Sequence, residues 1–190
     1  TVGTTSTTSV DPIPALADLC AREGLWLHVD AAYAGAYAML PEKRWCLEGC
    51  DRADSLVFNP HKNLYTPIDA SGLWLRRPEV LRRALQLVPD YLQTTETDAV
   101  NLMDYGFQLG RRFRAIKLWW VLRTFGAEGI RSRLRAHVRL AEQLLAWIGE
   151  DARFEVMAPA PFSTVCFRAL GGPGEPARQD PAAVDALNER

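Results

Sequence analysis

Three short apolar runs constrain the fold of this chain more strongly than any other feature of its sequence. They lie at residues 25–29, 55–58 and 72–75. Runs of this length without polar alternation are typical of strands that are buried on both faces, as in a parallel sheet. The residues before the first run predict a helix with Asp11 as its N-cap and Gly24 at its end. Strands separated by helices predict an α/β fold with a mainly parallel sheet.

The composition is that of an ordinary globular protein. The 190 residues are 48% hydrophobic and 24% charged, and the formal net charge is -1. This balance gives no general attraction to nucleic acid or to an anionic membrane surface, and no apolar run approaches the roughly 20 residues of a membrane span. The four cysteines lack the spacing of a zinc site, and reduced thiols suit a cytoplasmic protein. We therefore expect no nucleic-acid, membrane or metal-binding role.

The second half of the chain predicts long helices and then a new unit. Amphipathic patterns at residues 111–125 and 129–149 predict two helices, the first ending near Gly126. Apolar segments at residues 154–157 and 164–167 predict two further strands. Because the chain starts within a strand-like segment and ends within a helix-like one, we expect it to be an internal piece of a longer protein.

A lysine and an aspartate follow the first two apolar runs. Asp30 comes directly after the first run, and Asn59-Pro60-His61-Lys62 comes directly after the second. Pyridoxal phosphate (PLP) chemistry requires such a pair. The lysine amine forms a Schiff base with the cofactor aldehyde, and the carboxylate keeps the pyridine nitrogen protonated so that the ring can accept electrons.

The scarcity of lysine strengthens this interpretation. Among 22 basic residues only Lys43, Lys62 and Lys117 are lysines, and an arginine cannot supply the primary amine of a Schiff base. Lys43 lies in a polar stretch and Lys117 in an amphipathic helical pattern, whereas Lys62 follows a strand and a turn proline. The four-residue motif by itself leaves a solvated loop lysine as an equal alternative.

Six segments of the chain resemble the aromatic L-amino-acid decarboxylases, which are group II PLP-dependent decarboxylases. The segments are TVGTT at 1–5, DP at 11–12, WLHVDAAY at 26–33, ADS at 53–55, NPHK at 59–62 and LGRRFR at 109–114. They keep the family's order and near-identical spacing from residue 1 to about 168. The resemblance implies the aspartate aminotransferase type of fold, PLP fold type I.

The resemblance also implies roles for residues around the cofactor. Lys62 corresponds to the Schiff-base lysine and Asp30 to the partner of the pyridine nitrogen. Ala32 corresponds to the small residue that packs against one face of the ring. Asn59 and His61 correspond to contacts of the cofactor phosphate.

Two further positions follow from the resemblance. Thr5 corresponds to a threonine near the phenolic oxygen of the cofactor. Tyr91, in the segment PDYL at 89–92, corresponds to a mobile-loop tyrosine that protonates the substrate carbon after carbon dioxide leaves. Its polar, aperiodic surroundings favour a lid over the site. Relatives with phenylalanine at this position resemble oxidative aldehyde synthases.

The implied activity is the decarboxylation of an aromatic L-amino acid to the aromatic amine and carbon dioxide, in a cytoplasmic homodimer. The implied domain organisation places residues 1–128 in the C-terminal part of the PLP-binding large domain. Residues 129–152 form a connecting helix, and residues 153–190 begin a small α+β C-terminal domain. Since the family's phosphate cup and ring-stacking histidine lie upstream of this sequence, we expect the isolated piece to be inactive.

Several alternatives remain open from the sequence. The parent protein could be a decarboxylase of glutamate or a related acidic amino acid, although Tyr33 and the run at 111–114 favour the aromatic branch. An aldehyde synthase is disfavoured by Tyr91, and an inactive structural remnant is disfavoured by the intact site residues. His28 is interpreted as a core histidine, His137 as solvated, and the arginines at 111–112 as members of a structural ion pair.

Overall fold

The computed structural model describes residues 1–86, 100–172 and 180–189. In chain order, the strands are β1 (His28–Asp30), β2 (Ser55–Phe58), β3 (Gly72–Leu75), β4 (Phe154–Val156) and β5 (Phe167–Ala169). The α-helices are α1 (Ile13–Glu23), α2 (Pro60–Asn63), α3 (Pro78–Leu85), α4 (Ala115–Glu150) and α5 (Pro181–Asn188). Short 3₁₀ helices cover Ala34–Met39, Pro41–Leu47, Cys50–Arg52 and Leu102–Tyr105.

The three predicted apolar runs form one sheet in the order β1-β2-β3, which confirms the α/β class. Strands β1 and β2 are parallel, and Asp30 lies opposite Val57. The connection between them, which contains three of the 3₁₀ helices, provides the long crossover that a parallel pair requires. Strand β3 pairs antiparallel with β2, because the chain turns back after the short helix α2 without a crossover. One of the two strand pairings in this sheet is therefore parallel.

Two predicted boundaries are wrong, the start of strand β1 and the N-cap of helix α1. Leu25 and Trp26 are 56% and 40% exposed, and strand β1 begins only at His28. Asp11 is not the N-cap of α1, because Pro12 occupies that position and no side chain caps the helix. The predicted end of the helix is confirmed, since Gly24 adopts a left-handed conformation and its N–H bonds to the Cys20 carbonyl.

The long helix α4 also differs from the prediction at its start. It begins at Ala115 rather than at residue 111. The N–H of Arg114 donates to the Arg112 carbonyl, and a hydrogen bond across only two residues belongs to a γ-turn rather than to a helix. The predicted break near Gly126 is confirmed, because this residue has φ 63° and ψ 173° inside the helix.

A hydrophobic core joins the sheet, α1, α4 and the loop between β4 and β5. Its most deeply buried large side chains are Val2, Val29, Tyr37, Leu40, Ile130, Leu134 and Phe162. Phe162 comes from the β4–β5 loop and lies within 4.9 Å of the Tyr37 ring, measured between centroids. The segment beyond α4 therefore packs directly against the residues that follow β1. No helix within the described ranges is both long and apolar enough to cross a bilayer.

Glycine is required at position 3 for two reasons. Gly3 has φ +86°, and a Cβ placed there would lie 2.8 Å from Tyr33 Cδ1 and 2.9 Å from Ala34 Cβ. Gly24 has a similar φ of +64°, but a Cβ placed there would have no atom within 4 Å. Substitution of Gly24 therefore measures backbone strain alone, whereas substitution of Gly3 measures backbone strain together with steric overlap.

We expect Gly24→Ala to lower the free energy of unfolding by about 1 kcal/mol, the cost of a left-handed L-residue. Gly3→Ala should add the overlap with Tyr33 and Ala34 and lower it by roughly 1–3 kcal/mol more. Urea denaturation of both variants measures the difference. Equal losses in the two variants would show that the packing beneath Tyr33 is not tight.

Candidate active site

The parallel pairing of β1 and β2 places the predicted lysine and aspartate at one edge of the sheet. Asp30 is the last residue of β1, and Asn59 and helix α2 follow the last residue of β2. The carboxyl ends of parallel strands share an edge, which is where α/β sheets bind ligands. The pairing continues one residue further, because the N–H of Ala31 donates to the Val57 carbonyl at 3.0 Å.

Asp30 presents its carboxylate on the exposed face of β1. Val29 points into the core and is fully buried, whereas the residues on either side of it are exposed. The Ala32 N–H donates to Asp30 Oδ1 at 2.9 Å, and the Val2 N–H donates to the Asp30 carbonyl at 2.7 Å. The first bond orients the carboxylate, and no donor among the described residues reaches its Oδ2. Ala32 itself is buried beside it.

The interpretation of His28 as a core histidine is wrong. His28 shares the exposed face of β1 with Asp30, because side chains two residues apart in a strand point the same way. Its Nδ1 lies 2.7 Å from Ser55 Oγ, and Trp26 Nε1 donates to the same oxygen at 2.9 Å. His28 is therefore a surface residue that is held against the start of β2.

Lys62 lies in a turn whose backbone is fixed on both sides, and residues 59–63 are called the lysine turn below. Before Lys62, His61 Nδ1 accepts a hydrogen bond from the Ala70 N–H at 3.1 Å. After it, Asn63 Nδ2 donates to the Tyr33 carbonyl at 2.8 Å. The Lys62 side chain is exposed. A fixed backbone with an exposed side chain suits an amine that must reach a ligand.

The amines of the other two lysines are engaged with backbone carbonyls. Lys43 Nζ donates to the Pro161 carbonyl at 2.8 Å. Lys117 Nζ donates to the carbonyls of Pro67 and Asp69 at 2.9 and 2.6 Å. Within the described ranges, the Lys62 amine makes no hydrogen bond to the protein. The contacts therefore favour Lys62 as the amine that is available for covalent chemistry.

Asn59 and Thr5 are two further residues that the family resemblance assigns to the cofactor. Asn59 Oδ1 accepts a hydrogen bond from Ser71 Oγ at 2.6 Å, and its amide N–H₂ donates to no acceptor in the part of the chain that the structure describes. Thr5 lies in the loop between Val2 and Val10, which pair in an isolated antiparallel bridge, and its side chain is exposed. Tyr91, the predicted proton donor, lies outside the described residues.

The loop behind the lysine turn is attached to the start of α4. Arg114 Nε donates to Asp69 Oδ2 at 2.8 Å, and this guanidinium holds the pKa of the Asp69 carboxyl below its ordinary value. The ion pair therefore stabilises the fold above the ordinary aspartate pKa, and the stabilisation is lost as the pH falls through the lowered value. The arginines at 111–112 precede the helix and are exposed, so the ion pair seen here belongs to Arg114.

Two recesses adjoin the site and differ in chemistry. One, of about 300 Å³, is lined by polar residues that include Asp69, Ser71, Arg111 and Arg114. The other, of about 390 Å³, is lined by apolar residues such as Phe58 and carries no charged side chain. A phosphorylated cofactor needs cationic or hydrogen-bonding partners, so the apolar recess does not suit it.

Sequence reasoning missed three residues that fix this site. Ser71 anchors Asn59, Ala70 anchors His61, and Asn63 attaches the lysine turn to Tyr33. Each contact joins residues that are well separated along the chain. Asn63 had the one local signal, because a polar amide directly after the candidate lysine suggests a side chain that could hold the turn.

Comparison with known protein families identifies the class of protein to which this chain belongs. A family model described as the pyridoxal-dependent decarboxylase conserved domain matches residues 1–170. The chain therefore belongs to the pyridoxal-dependent decarboxylase family. The predicted family, the α/β fold of fold type I and PLP as the family's cofactor are confirmed.

Individual relatives match all or most of the chain. A tryptophan decarboxylase of Camptotheca acuminata is 42% identical over an alignment 193 positions long, which covers 100% of this chain and 38% of the relative. A tyrosine decarboxylase of Petroselinum crispum is 46% identical, and a phenylacetaldehyde synthase of a Rosa hybrid cultivar is 43% identical. Both matches extend over 171 residues, which cover 88% of this chain.

The fold agrees closely with a solved structure. The crystal structure of Oryza sativa TDC with PLP and tryptamine superposes with a TM-score of 0.92 at 39% identity, over 99% of this chain and 39% of that one. The tyrosine decarboxylase and the synthase are each matched over 34% of their length. The chain thus spans little more than a third of the length of these relatives.

Proposed function

We propose that the complete protein decarboxylates an aromatic L-amino acid to the aromatic amine and carbon dioxide, with PLP as its cofactor. The observation on which this proposal rests is the parallel pairing of β1 and β2, which sets Asp30 and the lysine turn at one sheet edge. The available amine of Lys62 supports it, since the other two lysines are engaged. The substrate class follows from relatives that are named as tryptophan and tyrosine decarboxylases.

The residues at this edge suit the cofactor. Lys62 would bind the cofactor aldehyde, and Asp30 would hold a proton on the pyridine nitrogen through its free carboxylate oxygen. Ala32, which is small, would pack against one face of the ring, as the family resemblance implies. The bound cofactor supplies an electron sink for the bond that breaks when the substrate carboxylate leaves.

Polar groups around the lysine turn would hold the rest of the cofactor. The free amide of Asn59 and the second ring nitrogen of His61 would contact the phosphate, since each has its other polar atom engaged within the protein. The exposed hydroxyl of Thr5 would lie near the phenolic oxygen. These assignments follow the family resemblance, and the hydrogen bonds above are compatible with them.

The last step is protonation of the substrate carbon. Carbon dioxide leaves, and a proton delivered to Cα replaces it. We assign this proton to the hydroxyl of Tyr91, whose place in the sequence after Lys62 matches that of the family's lid tyrosine. Closure of a lid would also exclude water from the reacting carbon.

The assembly and location of the complete protein are part of the same proposal. We propose a cytoplasmic homodimer, in which residues 1–128 belong to the cofactor-binding large domain. Residues 129–152 would connect it to a small C-terminal domain that begins at residue 153. The burial of Phe162 against Tyr37 implies that this small domain packs close to the site.

A second candidate function is oxidative formation of an aldehyde. The 43% identity to a phenylacetaldehyde synthase is comparable to the 42% and 46% identity to the decarboxylases, so overall identity supports both activities equally. The tyrosine at position 91 favours the decarboxylase, because the family resemblance associates phenylalanine there with the synthases.

The role of Lys62 is tested by replacing each lysine with arginine. Arginine keeps the charge but cannot form the covalent bond to the cofactor. In the complete protein, we expect Lys62→Arg to lower kcat for aromatic amino acids by roughly three orders of magnitude or more. The matched control Lys43→Arg can still donate to the Pro161 carbonyl and should retain near-normal activity. Comparable activity in both variants would refute the assignment.

The role of Tyr91 is tested by removing its hydroxyl. We expect Tyr91→Phe in the complete protein to divert product from the amine to the aldehyde, because the unprotonated carbon then loses two electrons to dissolved dioxygen, which is reduced to hydrogen peroxide, and water releases the nitrogen as ammonia. Product identification by mass spectrometry measures the ratio, with Tyr105→Phe as a control for loss of a tyrosine hydroxyl elsewhere. An amine as the sole product of Tyr91→Phe would show that another group protonates the carbon.

A further inference from the structure

The segment that follows Asp30 is held between two distant parts of the chain. On one side, Asn63 Nδ2 donates to the Tyr33 carbonyl at 2.8 Å. On the other side, the Tyr33 hydroxyl lies 2.6 Å from Thr164 Oγ1 and 3.3 Å from Ser163 Oγ. Tyr33 therefore connects the lysine turn with the loop between β4 and β5.

The same loop is fixed by a second tyrosine. The Tyr37 hydroxyl is hydrogen-bonded to Ser163 Oγ, and Phe162 is fully buried beside the Tyr37 ring. Burial raises the pKa of Tyr37 well above its ordinary value, so its hydroxyl stays protonated even in alkaline solution. Lys43 Nζ adds a further bond to the Pro161 carbonyl. The loop at residues 161–164 is thus firmly attached to the residues after β1.

The position of Lys62 relative to Asp30 depends on few contacts. The backbone pairing of β1 with β2 ends at Ala31 and Val57, and helix α2 is a single short turn. Asn59 and His61 attach the lysine turn toward β3, through Ser71 and Ala70. Within the described ranges, Asn63 provides the side-chain hydrogen bond that attaches this turn to the residues after Asp30.

We propose that Asn63 and Tyr33 are positioning residues, which fix where the Lys62 amine lies relative to the Asp30 carboxylate. The hydroxyls of Ser163 and Thr164 hold Tyr33 in place from the C-terminal side. This inference rests on the proposed function and deepens it, because neither residue touches the reacting atoms. A misplacement of about 1 Å at a reacting group is sufficient to cost about a hundredfold in rate.

The test uses Asn63→Leu in the complete protein, with Asn188→Leu as a matched control. Asn188 Nδ2 likewise donates to backbone carbonyls, but these belong to Ala169 in β5 and Val184 in α5 rather than to the residues after Asp30. Three quantities are measured: kcat and KM for an aromatic amino acid, the dissociation constant of PLP, and the pH titration of the visible absorbance of Lys62-bound cofactor.

We expect Asn63→Leu to lower kcat by at least about tenfold, with KM changed by less than about threefold. The pH midpoint of the cofactor absorbance should shift, because it reports the surroundings of the lysine nitrogen. Asn188→Leu should leave the midpoint unchanged and kcat within about threefold of wild type. A merely structural role of Asn63 would lower the amount of folded protein without moving the midpoint, and this result would overturn the inference.

Thr164→Val and Tyr33→Phe keep the test decisive if Asn63→Leu fails to fold. Each removes one hydroxyl from the Tyr33–Thr164 pair and leaves the Tyr33 carbonyl in place. We expect the two variants to shift the pH midpoint of the cofactor absorbance in one common direction. Each should also lower kcat by about threefold to tenfold. The two variants remove the same contact from opposite sides, so different directions would contradict the inference.

The outcomes distinguish this inference from the proposed function. If wild-type protein shows no cofactor absorbance that depends on Lys62, the proposed function fails and the inference fails with it. If wild type shows this absorbance and the variants at positions 33, 63 and 164 titrate and turn over like wild type, the positioning role alone is refuted. Equal impairment in Asn63→Leu and Asn188→Leu would also refute it.

Discussion

The parallel pairing of β1 with β2 is the constraint on which the site depends. Asp30 and the lysine turn are far apart along the chain, and the register that sets Asp30 opposite Val57 brings both to one edge of the sheet. Val29 anchors β1 in the core, so that its neighbours face outward. A shift of one residue would turn Asp30 into the core and place Val29 at the site.

Side-chain hydrogen bonds complete what the strand pairing begins. His61 and Asn63 are anchored to Ala70 and Tyr33, and these two bonds fix the backbone of the residue between them. Lys117 donates to two carbonyls of the loop that leads into Ala70. The lysine that makes no such bond within the described ranges is Lys62. The same contacts that hold the loops in place therefore leave one amine free for chemistry.

The parts of this arrangement that have a local pattern could be predicted from the sequence. Apolar runs identified the three strands of the larger sheet, and Gly24 and Gly126 marked the end and the break of helices, because these features depend on neighbouring residues. The strand predicted at 164–167 was misplaced, since β5 begins only at Phe167. The antiparallel direction of β3 and the exposed position of His28 were not predicted, since both depend on the path of the chain in space. The hydrogen bond between Tyr33 and Thr164 joins residues 131 positions apart and leaves no local signal.

Chemical mapping tests most directly whether Lys62 is the residue that binds the cofactor. The complete protein would be treated with borohydride in the presence of PLP, digested and examined by tandem mass spectrometry. We predict that the reduced cofactor is attached to the peptide at Lys62. Attachment at Lys43 or Lys117, or to no lysine of this chain, would contradict the assignment of the site.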